Sequence, residues 1–163
     1  MGRVGVDDIE DLRGLTLDEH RRAELLNAAT ECTFAFVAED GWPGAVVMSF
    51  LHERERFWLT AVHGRAHVGA VLRDPRVTLV ISSAGTGLPR RMLAIRGEVT
   101  VHEDRATKDW FLPRFAARHA PGDPDAFVRL LDSPRRVVFE VTPTGTAVSH
   151  DSGRMPGDGR GGR

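Results

Sequence analysis

The chain has 163 residues, 41% of them apolar and 28% charged, with a formal net charge of -1. That is enough chain to bury one core without disulfides or metal, with no basic excess to favour nucleic acid and none of the compositional bias of a disordered segment. The longest apolar runs, such as Ala45 to Met48 and Val77 to Ile81, fall far short of the roughly 20 residues a bilayer span needs.

The N-terminus turns acidic at Asp7 and Asp8 and lacks the apolar stretch of a secretory signal, which gives the expectation of a cytoplasmic protein. Thr16 to Glu31 reads as the first helix, with Thr16 as N-cap and Glu19 completing a capping box. Alternation of period two then marks strands over Thr33 to Ala38, Ala45 to Leu51 and Arg56 to Ala61, the first two joined by an Asp40-Gly41 turn. Cys32, the only cysteine, stands beside Phe34 and Phe36 and reads as a small core residue.

Arg65 to Arg73 reads as a short helix opened at Gly64 and stopped by Asp74-Pro75. Strands follow over Val77 to Ser83 and Arg91 to His102, the latter predicted to be the longest, with a loop over residues 84–90 between them. Asp104 caps a helix that Pro113 should kink or end. Asp123-Pro124 opens another helix running to about Leu131. A last strand covers Arg136 to Val141. From His150 on, glycine is abundant and Met155 alone is available for burial, so residues 150–163 are expected to be a disordered tail behind a domain of residues 1–149. The irregular order of helices and strands disfavours a doubly wound parallel sheet and favours an α+β fold, an antiparallel barrel of about six strands with peripheral helices.

Several chemistries find no support. Gly85-Thr86-Gly87-Leu88-Pro89-Arg90 starts like a dinucleotide fingerprint, but Arg90 replaces the third glycine and Pro89 interrupts the required helix. The seven histidines show no metal-ligand spacing. Lys108 is the only lysine among 22 basic residues, so each arginine has to be judged by its neighbours.

One run does carry chemistry: Phe57 to Val77, a strand, a turn with hydroxyl and cationic groups, and a helix N-terminus. Helix N-termini present free N–H groups and partial positive charge, which suits a phosphate. Arg65 adds a planar cation and Thr60 a hydroxyl. Local chemistry alone leaves a solvated surface arginine equally open.

Together with Asp40-Gly41-Trp42-Pro43, the strand Val46 to Phe50 and the Asp74-Pro75-Arg76-Val77 opening of the next strand, this run resembles the pyridoxamine 5'-phosphate oxidase-like superfamily of split barrels. The resemblance implies a flavin (FMN) or deazaflavin nucleotide held at a homodimer interface. It implies Val47, Met48 and Ser49 beside the isoalloxazine, Thr60 and Ala61 flanking it, and Arg65, Ala66 and His67 at the phosphate. It differs from pyridoxamine-phosphate oxidases proper, which are basic where this chain has Ala45 and Phe50 and have lysine in place of His67. The function implied is an oxidoreductase moving a hydride between the reduced cofactor and a small-molecule substrate, with no side chain required as acid, base or nucleophile. The alternative is a non-catalytic split barrel storing flavin or haem, with His63, His67 or His102 as axial ligand. Apolar residues on both faces of the second strand, Met48 and Phe50 against Val47 and Leu51, add to the expectation of a homodimer.

Overall fold

A computed structural model describes residues 13–155. The first helix, α1 (Glu19–Ala28), starts later than the sequence suggests: the cap is Asp18, whose carboxylate accepts the Arg21 N–H at 2.8 Å, and Thr16 lies exposed ahead of it. A carboxylate accepts that N–H more strongly than a hydroxyl, and the bond also holds the pKa of Asp18 below the ordinary carboxylate value.

Strand β1 (Glu31–Val37) turns Cys32, Phe34 and Phe36 inward and pairs antiparallel with β2 (Pro43–Ser49). Gly44 is required there, because a Cβ would stand 2.5 Å from the Phe36 ring. The single expected strand over Ala45 to Leu51 is broken at Phe50, which is fully buried and donates its N–H to Thr30 O at 3.1 Å. A separate short strand, β3 (Leu51–Glu53), turns through Arg54 and Glu55, both at φ 57°, into β4 (Arg56–Val62). Positive φ at both central residues is what a tight two-residue hairpin demands.

Helix α2 (Ala66–Arg73) leads to β5 (Arg76–Ser82) and β6 (Arg91–His102). Helix α3 (Arg105–His119) runs unbroken through Pro113, against expectation. The carbonyl that loses its partner is that of exposed Asp109, where water can replace the missing N–H, while Phe111, Leu112, Phe115 and Ala116 anchor the opposite face. Helix α4 (Pro124–Leu131) begins at the Asp123 cap as expected. The last strand, β7 (Arg136–Asp151), has 16 residues against 12 in β6 and so is the longest, because β6–β7 register shifts let it follow β6 along its whole length.

There are seven strands rather than about six, in the order β2-β1-β5-β6-β7-β4-β3. Its two edges, β2 and β3, are joined by Phe50 alone, so the antiparallel sheet must curl until they meet. The result is an α+β split barrel. Its interior holds Phe34, Phe57, Leu59, Leu79, Ile95 and Phe139, with Val68 and Val71 of α2 packed into the same core. Phe50 belongs to that core and not to a second exposed face. Outside the barrel, α3 and α4 cover Trp58 and Val138.

The chain does not become a tail at residue 150. His150 and Asp151 finish β7, a short turn follows over Ser152–Arg154, and Met155 is buried. Residues 156–163 lie outside the described residues. Among the described residues, no helix is long and apolar enough to cross a membrane.

Candidate functional site

The turn from β4 into α2 opens a cleft of about 330 Å³, with Phe36, Ala38 and Glu39 on one side and Gly64, Arg65 and Ala66 on the other. Gly64 sits at φ 97°, a conformation glycine adopts without the Cβ penalty of other residues. It allows the chain to reverse directly into the helix. Arg65 is the N-cap but makes no side-chain cap bond, and the N–H groups of Val68 and Gly69 turn back to its carbonyl. The N–H groups of Ala66 and His67 therefore have no intrahelical acceptor.

Arg65 is exposed, and its guanidinium has no partner among the described residues. A second guanidinium without a side-chain partner among the described residues stands close by: Arg135 Nη2 lies only 3.0 Å from where a Gly64 Cβ would be. Sequence reasoning missed Arg135, which the antiparallel pairing of Val62 with Arg136 brings to the turn. Arg73 also lines the cleft, and Glu39 supplies its one acidic wall residue.

Of the residues expected at the site, Arg65 and Ala66 line this cleft, whereas Val47, Met48, Ser49, Thr60, Ala61 and His67 do not. Val47 is 67% exposed on the outer face of edge strand β2, and Met48 packs partly against the core. Ser49 ends β2 opposite Glu31. Thr60 donates its hydroxyl to Val137 O at 2.7 Å, which spends the donor within the sheet, and Ala61 is buried. His67 turns its ring toward Phe34, Phe36 and Phe139, with centroids 6.2–6.4 Å away. Burial first, and then the charge of Arg65, holds its pKa below the ordinary histidine value, so the ring is neutral at pH 7. Cys32 is buried as expected, and burial pushes its thiol up to about 12.

A larger hollow of about 600 Å³ lies on β1, β5 and β6, walled by residues such as Thr78, Arg96 and Glu98. Phe36 lines both this hollow and the α2 cleft.

A curled antiparallel sheet closed through Phe50, with a short helix entered from a cationic turn, defines the class as a split barrel. A family model described as pyridoxamine 5'-phosphate oxidase matches residues 18–149, and the chain belongs to that family. In structure it is similar to the conserved hypothetical protein Rv2991 from Mycobacterium tuberculosis (TM-score 0.72, 18% identity, 84% of this chain and 86% of that one). It is also similar to HutZ, the heme storage protein from Vibrio cholerae (0.65, 15%, 80% and 94%), and to an F420 reductase (0.59, 24%, 76% and 94%). No curated protein matches the sequence.

Proposed function

We propose that this protein is a flavin- or deazaflavin-dependent oxidoreductase that acts as a homodimer on a small-molecule substrate. The observation that carries the reading is the α2 turn, where Arg65 and Ala66 line one cleft at the open start of the helix and the Arg135 guanidinium lies beside Gly64, neither arginine having a side-chain partner among the described residues. That donor set fits a phosphate: charge-assisted bonds from Arg65 and Arg135, with the helix N-terminus behind them. His67, neutral and packed on phenylalanines, supports the turn from inside and adds no charge. Once bound, the flavin or deazaflavin ring would supply hydride transfer; the chain binds the phosphate, orients the ring and excludes water. Val47, Met48 and Ser49 offer strand backbone for the ring's polar edge. Phe36 lines both the cleft and the outer hollow, so a partner covering that hollow would lie beside the cofactor position.

Haem storage, the function named for HutZ, would need an available axial histidine. His67 is packed among aromatic rings, while His63 bonds Glu103 and His102 Nε2 lies 2.7 Å from Glu140 Oε2; it is the cationic α2 turn, which suits a phosphate, that favours the flavin reading.

Titration of the purified protein with FMN and with F420 tests the proposal. Arg65→Ala should weaken binding of the nucleotide that binds by roughly 10- to 150-fold, the value of one charge-assisted contact, with folding unchanged because the side chain is exposed. Arg129→Ala, on α4, serves as the control and should leave affinity unaltered. Unchanged affinity in Arg65→Ala would place the phosphate elsewhere.

A further inference from the structure

At the far end of β5 from the α2 cleft, a second cleft of about 560 Å³ opens between the loop of residues 83–90 and the strand ends of β6 and β7. Ser82, Ser83, Arg90, Arg91, Met92 and His150 contribute to its wall, and none of the residues that line it is acidic.

The two arginines differ in what is left to them. Arg91 is buried and already neutralised, with Nη1 2.7 Å from Glu24 Oε2 and Nε 3.4 Å from Asp151 Oδ2. Arg90 is exposed, and its guanidinium has no partner among the described residues. Its backbone is fixed nonetheless, since its carbonyl accepts the Gly153 N–H and the Ser152 hydroxyl, each at 3.3 Å. A free cation is thus mounted on a tied-down backbone.

The surrounding loop is held in place. Ser83 Oγ accepts the Arg91 N–H at 2.8 Å, Ser82 Oγ accepts the Ala84 N–H at 3.1 Å, and Thr86 Oγ1 donates to Ser83 O at 2.7 Å. On the β7 side, the His150 ring contributes to the wall, and its Nδ1 is buried without a partner among the described residues. Leu88 and Met92 provide apolar surface beside these polar groups. Preformed hollows with a few convergent polar groups and an apolar wall are how small-molecule sites are built.

We propose that this cleft binds a small organic anion, with Arg90 pairing its carboxylate or phosphate group and Leu88 and Met92 receiving its apolar part. The site is separate from the α2 cleft and does not depend on the flavin reading.

Amide chemical shifts of the 15N-labelled protein, followed while inorganic phosphate or acetate replaces chloride at constant ionic strength, test it. At least one anion should give saturable shifts at Gly85, Gly87 and Met92. Arg90→Ala should weaken that binding at least tenfold, and Arg65→Ala should leave it unchanged. Saturation by phosphate alone would assign the phosphate group as the one recognised, and saturation by both would show that a carboxylate suffices. Shifts that stay linear with both anions, or binding that survives Arg90→Ala, would overturn the proposal. The same spectra show whether each variant is folded.

Discussion

His67 shows how one side chain can be assigned correctly to a turn and still be given the wrong surroundings. Its position beside Arg65 suggests a phosphate contact, but its ring completes an aromatic cluster with Phe34, Phe36 and Phe139. Sequence neighbours fix where a Cα lies on a helix and say little about which face of the first turn is covered. Arg135 is the converse case: its place beside Gly64 follows from strand pairing between distant segments, and no local pattern carries that signal. The buried ring has a consequence for stability. With its folded pKa below the ordinary 6.5, His67 takes up a proton in the unfolded chain at a pH where the folded chain does not. Its contribution is complete above about pH 6.5 and lost as the pH falls below that value, and His52 and His119, also lowered by burial, act in the same direction. Urea unfolding should therefore give a free energy that declines from pH 7 toward pH 5, with a shallower decline in His67→Leu. An identical slope in the variant would show that the ring is not held neutral by its surroundings.

At the scale of elements, the sequence was most informative where caps and turns are local. The Asp40-Gly41 turn, the Asp104 and Asp123 caps and the short α2 helix can all be read directly from neighbouring residues. The misreadings occur where tertiary partners decide. Pro113 is tolerated because the carbonyl it leaves unpaired belongs to exposed Asp109, and Phe50 splits a strand because the curled sheet needs its ring inside. The end of β7 is the largest such case. Asp151 is 2% exposed and sits between Arg91 and Arg21, with its N–H bonded to Leu15 O at 2.7 Å, a set of partners that its glycine-rich sequence context conceals. Truncation after Ser149 removes that carboxylate and leaves buried Arg91 with Glu24 as its one acidic partner among the described residues. The loss should be about 3 kcal/mol, or roughly 6–12 °C in melting temperature. A melting temperature equal to that of the full chain would show that the ionic cluster contributes nothing.

For the whole molecule, the barrel's outer face carries the argument for a dimer. Val47, Thr33, Val80, Ala94 and Val148 stand in register across β2, β1, β5, β6 and β7, opposite the inward core residues. Val47 and Val148, at the two ends of this row, are 67% and 51% exposed. A second copy burying this row and the adjoining hollow would form an interface of about 2,000 Å² or more, as obligate dimers do. Light scattering at micromolar concentration should give the mass of a dimer, and Val47→Asp combined with Val148→Asp should give a monomer. A dimer that survives both aspartates would lie on another face.

A crystal structure of the protein grown with whichever of FMN and F420 it binds tests the phosphate position at the α2 turn most directly. A nucleotide phosphate should lie within hydrogen-bond distance of the Arg65 guanidinium and the Ala66 N–H, at the mouth of the cleft behind Gly64. A phosphate bound away from α2, or no nucleotide density at saturating concentration, would contradict it.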